Sequence, residues 1–391
     1  MTLTHRIQLD PTVKQRQYFA QAAGTARFVW NHALAAWNAQ YEAGGKPKAS
    51  VLKVQFNASK YERYPWMTGI HRDAHSQPFA ALSNAFRNFF EGRSAHPKFK
   101  KKGKCRDVFY VANDKLRIDG RRVRLPIIGW VRVTEALRFA GKIQRATVSR
   151  EADRWFIAIT VHMPDAWTTV APTGEPIGID LGLTTFATLS TGEKIEAPKP
   201  LAQYLRKLKR LGRWHSRKQL KSRNRSKASM RLAKCHRRIR NIRQDFLHKL
   251  STDLAKNHSE IGIEDLNVRG MLANHKLARR ISDASWSEFV RQLTYKADLY
   301  GSKIVTAGRF FASSKTCSVC GTKADKMPLS VRTWTCTECG SVHDRDINAA
   351  INLKPNTAGS CGNQRLWRGG AVMPLVEAGT LPCAHVCAQE R

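Results

Sequence analysis

Two Cys-x-x-Cys pairs, Cys317/Cys320 and Cys336/Cys339, stand fifteen residues apart and run directly into His343-Asp344-Arg345-Asp346. Four thiolates at this spacing close a tetrahedral Zn²⁺ site and leave no open position for a substrate, so the metal they predict is structural. His343 follows closely, but four cysteines complete the ligand set, and it reads as a turn or surface residue. Three carboxylates suggest a second chemistry. Asp180 interrupts the apolar run Ile177-Gly-Ile-Asp-Leu-Gly182, Glu264 closes Ile261-Gly-Ile-Glu264, and Asp346 opens the helical pattern ending at Leu353. An ionised side chain in or at the end of an apolar strand must be paired or bound to metal. Three carboxylates can hold two Mg²⁺ ions, which activate water and stabilise the leaving oxygen of a phosphodiester. Asp265 and Asp344 are adjacent acids, and spacing alone does not separate them from Glu264 and Asp346. Gly178 and Gly182 read as gaps for close approach of a phosphate backbone or metal.

The composition points to the same class of substrate. The 391 residues carry 67 Lys and Arg against 30 Asp and Glu, a net charge of +37 that implies a large polyanionic partner, nucleic acid foremost. No run of eighteen apolar residues exists and the first ten residues resemble no signal peptide, so a soluble, reducing, cytoplasmic and nucleoid-associated setting without a membrane is expected. Of nine cysteines, the five outside the pairs (Cys105, Cys235, Cys361, Cys383, Cys387) are scattered, which favours metal ligation over cross-linking.

The elements that must position these residues form a multidomain α/β chain. His5 to Leu9 alternates like a strand, and Asp10-Pro11 reads as an N-cap with proline at the first helical position. Helical periodicity then runs through Phe28, Trp30, Leu34 and Trp37 to Gly44-Gly45, and again after Pro78 through Phe79, Leu82, Phe86 and Phe90. From Cys105 to Met163 short strands separated by turns suggest a small barrel, which the first strand could join, leaving the helices as an insertion. Ala171 to Pro176 reads as a linker. Between Lys199 and Arg243 there are eighteen Lys and Arg and no acid, threaded with leucines at helical spacing, which predicts two antiparallel basic helices breaking near Ser222–Ser226. After Pro355 no period remains, and a disordered tail is expected.

Gly24-Thr-Ala-Arg-Phe-Val-Trp-Asn-His32, Ile177 to Gly182, Arg243 to Lys249, Ile263 to Leu266, the four cysteines and Asp344 to Ala350 together resemble the TnpB family of insertion-sequence-encoded, RNA-guided DNA endonucleases, related to Fanzor proteins and type V CRISPR effectors. The resemblance runs from about residue 1 to 353. It implies a RuvC-like RNase H fold nuclease domain over 177–353, holding a basic helical hairpin at 199–258 and a zinc-knuckle insertion at 310–343. It also implies a wedge β-barrel from 1–10 and 104–170, a helical recognition lobe at 11–103, and a tail at 354–391. By the same resemblance Asp180, Glu264 and Asp346 are the catalytic Mg²⁺ ligands. The protein would act as a monomer in a ribonucleoprotein with a guide RNA. Base pairing would read the target double-stranded DNA while protein reads a short adjacent motif. Ser50, Arg72, Ser76 and Gln77 fall in the region where the family reads that motif. A guided repressor without cleavage and a transposase acting on transposon ends are the competing functions.

Overall fold

The computed structural model describes residues 2–163, 171–328 and 330–355, together with the backbone of 364–366. The chain divides into two compact units, residues 1–167 and 168–391.

In the first unit, strand β1 (Thr2–Asp10) is followed by helices α1 (Val13–Glu42), α2 (Ala49–Arg63) and α3 (Arg72–Phe90). Strands β2 (Val108–Ala112), β3 (Arg117–Asp119), β4 (Arg122–Leu125), β5 (Gly129–Val133), β6 (Lys142–Glu151) and β7 (Arg154–His162) complete it. The sheet is antiparallel in the order β2-β6-β7-β1-β5-β4-β3, so β1 is a central strand although it comes first in the chain. Its alternation buries His5, Ile7 and Leu9, the last two in a core with Phe109, Val123, Val148 and Ile157, against which Phe19 of α1 packs. No ladder joins β2 to β3 among the described residues. The helices keep a core of their own around Trp30, Leu34, Phe56, Met67 and Phe79.

Two local expectations are corrected. The cap of α1 is Thr12, whose hydroxyl accepts from Gln15 N–H at 3.3 Å while the Gln15 side chain accepts from Thr12 N–H at 3.0 Å. This reciprocal box outcompetes Asp10, which is the last residue of β1. Pro78 lies inside α3 rather than ahead of it, at a buried position. Helix α2 buries Ala49, Leu52, Phe56 and Lys60.

The second unit contains β8 (Ile177–Leu181), β9 (Ala187–Leu189), β10 (Lys194–Ile195), α4 (Pro200–Ser216), α5 (Arg223–Asn257), β11 (Glu260–Glu264), α6 (Val268–Met271), α7 (His275–Ala284), α8 (Trp286–Tyr300) and β12 (Lys303–Ala307). Strands β13 (Thr333–Thr335) and β14 (Val342–Asp344), helix α9 (Arg345–Leu353) and strand β15 (Gln364–Leu366) follow. The sheet order is β10-β9-β8-β11-β12-β15. Strands β8 to β10 form an antiparallel meander, β11 and β12 add parallel to β8, and β15 closes the edge antiparallel. A three-stranded meander extended by two strands parallel to its first is the RNase H-like arrangement. The expected tail of 354–391 differs at one place, since the backbone of Gln364–Leu366 pairs with β12. Residues 356–363 and 367–391 lie outside the described residues.

Helices α4 and α5 form the basic pair, with Ser222 capping α5 through Arg225 N–H at 3.0 Å. Asp283 of α7 fixes the pair. Its carboxylate accepts from Leu201 N–H at 3.0 Å and Ala202 N–H at 3.1 Å at the start of α4, and pairs with Arg243 of α5 at 2.9 Å.

Candidate active site and four-cysteine centre

The parallel register Ile261↔Ile177, Gly262↔Gly178 and Ile263↔Ile179 makes Asp180 and Glu264 the next residues in line on adjacent strands. Strand spacing sets their backbones roughly 5 Å apart. Two residues back on the same face stand Gly178 and Gly262, and α9 lies directly on them. A Cβ on Gly178 would overlap Ala350 O, and one on Gly262 would overlap Leu353 O. Asp346 precedes Ala350 by four residues, about 6 Å of helix, while Asp180 follows Gly178 by two residues, about 6.6 Å of strand. Both carboxylates lie a short way from the Gly178 contact, and Asp346 is near enough to Asp180 to repel it. The expectation that Gly178 clears room for a phosphate or metal is corrected: the group it admits is the backbone of α9. Gly182 serves a tight turn, where its N–H bonds Phe186 O at 3.2 Å.

Electrostatics register the same convergence. Burial, then the carboxylates of Glu264 and Asp346, push the Asp180 carboxyl up to about 8 against the opposing pull of Arg345 and Arg332. Burial also raises Glu264, opposed by a 2.5 Å hydrogen bond from Ser313 Oγ to its Oε1. Asp346 accepts from Arg332 Nη1 at 3.3 Å. The neighbouring acids are otherwise engaged. Asp344 is the N-cap of α9, its Oδ1 accepting from Asp346 and Ile347 N–H at 3.0 Å each and its Oδ2 from Lys194 at 2.8 Å. Burial raises its carboxyl, but those bonds leave it below its ordinary value. Asp265 is exposed and takes two N–H donors of Arg309 on Oδ2, at 3.1 and 2.8 Å.

The four cysteine sulfurs all lie within 4.8 Å of one another. Each pair sits in the same turn: Gly321 N–H bonds Cys317 O at 2.9 Å, and Gly340 N–H bonds Cys336 O at 3.0 Å. Both glycines have positive φ, 77° and 70°, which explains glycine after each second cysteine. The Thr322 hydroxyl pulls the Cys320 thiol down to about 6 and Ser341 lowers Cys339, while burial pushes Cys317 up to about 11. A four-thiol set in two such turns suits a structural zinc ion. His343 is not the surface residue expected. It is buried, lies tilted against Trp334 with ring centroids 4.9 Å apart, and holds Nε2 3.1 Å from Cys317 Sγ, an interaction that leaves the four thiols as a set.

Sequence reasoning missed the residues joining the two centres. Asn348 of α9 donates to Thr316 O at 2.8 Å and accepts from Ser318 N–H at 2.9 Å. Asn352 donates to Ser313 O at 2.8 Å and to Thr316 O at 2.6 Å. Two asparagines four residues apart on one helix face were the available signal. Of the suggested motif readers, Ser50 is exposed in the first turn of α2, and Arg72, Ser76 and Gln77 lie in the first turns of α3. Arg72 is 3.8 Å from Asp73 and 3.9 Å from Asp114.

An RNase H-like sheet that sets Asp180 and Glu264 on adjacent strands, within electrostatic reach of Asp346 on a helix that also joins a four-cysteine knuckle, defines a RuvC-type α/β domain. Family models match residues 147–275 ("Probable transposase"), 286–353 ("Cas12f1-like, TNB domain") and 1–46 ("Helix-turn-helix domain"). The last segment folds here as β1 and one continuous helix. The chain is 38% identical over 367 residues to a Streptomyces pristinaespiralis protein named "Putative RNA-guided DNA endonuclease", covering 90% of this chain and 89% of that protein. It is 34% identical over 372 residues to "Putative RNA-guided DNA endonuclease InsQ" of Escherichia coli (strain K12), covering 89% and 90% respectively. A solved structure titled "Cryo-EM structure of CRISPR-Cas12f Ternary Complex" aligns over 88% of this chain and 82% of its own at 14% identity, with a TM-score of 0.37, and adds nothing to the assignment. The chain belongs to the TnpB family. Among the described residues no helix is long and apolar enough to cross a membrane.

Proposed function

We propose that this chain is an RNA-guided DNA endonuclease that cuts both strands of a matched duplex at one RuvC-like site. The observation that supports the reading is the electrostatic coupling of Asp180 to Glu264 and Asp346, which stand on two adjacent strands and one helix, in a chain of net charge +37. Three converging acids, one with its carboxyl pushed up to about 8, form an anionic centre that divalent cations would relieve, and oxygen donors of this kind suit Mg²⁺. Asp180, Glu264 and Asp346 would hold the cations, which when bound supply water activation and charge stabilisation at the leaving oxygen. Ser313 fixes one oxygen of Glu264, and Asp344 caps the helix that carries Asp346. Arg332 and Arg345 add positive charge beside the acids, where a phosphodiester would enter.

The remaining assignments follow from this reading. The four cysteines hold structural zinc, and the basic faces of α4 and α5 bind phosphate backbone. The sheet of the first unit acts as a wedge and its helices as a recognition lobe, with Ser50, Arg72, Ser76 and Gln77 as motif readers. The working form is a monomer bound to a guide RNA transcribed from its transposon end. The test is co-expression with the native downstream locus, sequencing of the co-purified RNA, and cleavage of a plasmid library with a randomised adjacent motif. Mg²⁺-dependent cutting that Asp180→Asn and Glu264→Gln abolish, with RNA binding kept, is the expected result. Guided binding without cutting would favour a repressor, and strand-transfer products formed without RNA would favour a transposase.

A further inference from the structure

Phe310 is 94% exposed, the most exposed large apolar side chain among the described residues. Leaving a phenyl ring in water forfeits the stabilisation that burial of an aromatic gives, and the surroundings of this ring are those of a binding surface. Its backbone is held in place. It lies in a turn directly after β12, where Phe311 N–H bonds Gly308 O at 2.9 Å. The residue before it, Arg309, is tied to Asp265, and Ser313, three residues after it, is tied to Glu264. The turn is therefore pinned on both sides to the Glu264–Asp265 pair. Arg309 and Lys315 flank it, and Arg345 reaches Ser314 at 3.5 Å. An exposed ring among cations, tethered to an acid of the site, is the combination that holds unpaired nucleic acid: cations track the backbone and the ring stacks on a base.

We propose that Phe310 is a stacking platform for an unpaired nucleobase, seating a single strand beside Glu264. The proposal deepens the endonuclease reading and rests on it for the location of the scissile strand. An unpaired base could come from the DNA being cut or from the guide, and both present the same π-face.

The test uses the full-length protein bound to its co-purified guide, with Phe310→Ala, Phe310→Leu and Phe310→Trp beside Glu264→Gln as the dead-site control. Because the ring is exposed, all three Phe310 variants should keep the wild-type zinc content and melting temperature. Single-turnover cleavage should fall roughly 5- to 150-fold in Phe310→Ala, the range expected for loss of one base–aromatic stack. Phe310→Leu should behave like the alanine variant and Phe310→Trp should retain the rate. 2-Aminopurine placed in the target strands or in the guide, in complexes held without added Mg²⁺, should be quenched in the wild type and brighter in Phe310→Ala. The arm that responds names the strand. Wild-type cleavage by Phe310→Leu, or aminopurine emission indifferent to Phe310 in both arms, overturns the platform. If wild type cuts no better than Glu264→Gln, the endonuclease reading fails instead, and quenching of a 2-aminopurine single-stranded oligonucleotide still decides whether Phe310 stacks on a base.

Discussion

The Ser313 side chain and the Ser313 carbonyl face opposite partners: the hydroxyl donates to Glu264 Oε1 at 2.5 Å, and the carbonyl accepts from Asn352 at 2.8 Å. Glu264 ends a sheet strand, whereas Asn352 lies on the helix that carries Asp346. One residue thus ties two of the three acids to the loop that leads into the cysteine knuckle.

Ser313→Ala removes the hydrogen bond to Glu264 while leaving the carbonyl bonds intact. A hydrogen bond to a charged group contributes roughly 1.5–3 kcal/mol. The expected outcome is a cleavage rate at least tenfold lower and a higher Mg²⁺ requirement, with melting temperature little changed; a Mg²⁺ titration of cleavage measures it. An unaltered titration would show that Glu264 needs no help from Ser313.

Cys336→Ala should lose zinc and, with it, cleavage. The route is structural, because the knuckle meets α9 through Thr316, Ser318 and Asn348. Metal analysis and thermal melting check this, together with an Asn348→Ala variant that keeps zinc but is expected to lower the melting temperature and the cleavage rate. A Cys336→Ala protein with wild-type cutting and stability would separate the two centres.

Asp283→Ala should destabilise the second unit by about 3–5 kcal/mol, because it strips the cap from α4 and leaves the partly buried Arg243 guanidinium unpaired. Denaturant unfolding checks the magnitude. Asp283→Asn should recover part of it, since its side-chain oxygen can still accept from the α4 backbone.

Acid should weaken the first unit through His75. Burial, then Lys60 and His71, push this fully buried imidazole down to about 4, while Asp73 pulls the other way; Tyr61 meets its ring edge-on. Its folded value lies below its unfolded one, so below about 6.5 the unfolded chain takes up a proton that the folded chain refuses. The contribution is complete above pH 6.5 and falls away towards pH 4, by at most about 3 kcal/mol. His75→Gln should flatten the fall in melting temperature between pH 7.5 and 5. An unchanged slope would assign it to His5, His32 and His71, which burial also lowers.

Residues whose chemistry is costly where they sit were legible in the sequence. Asp180 and Glu264 stand out because apolar strands do not hold carboxylates without cause, and the cysteine pairs because thiols rarely recur at that interval by chance. Partners were not legible. Ser313, Asn348 and Asp283 are ordinary residues whose roles depend on contacts more than thirty positions away in the chain. Local competition also defeated the reading at Thr12, where the Gln15 side chain completes a box that Asp10 cannot. At His343 counting ligands gave no view of the Trp334 ring and the Cys317 thiol that meet it.

Gly178 and Gly262 have a consequence for variation in this fold. Where a helix rests on side chains, its height above a sheet drifts as those side chains are exchanged. Here α9 touches bare main chain at two points, so its height is set by atoms that no substitution elsewhere can alter. The hydrophobic filling around it can change freely while Asp346 stays gauged against Asp180. Backbone on backbone acts as a fixed ruler, and one added methyl group at either glycine is enough to lift it.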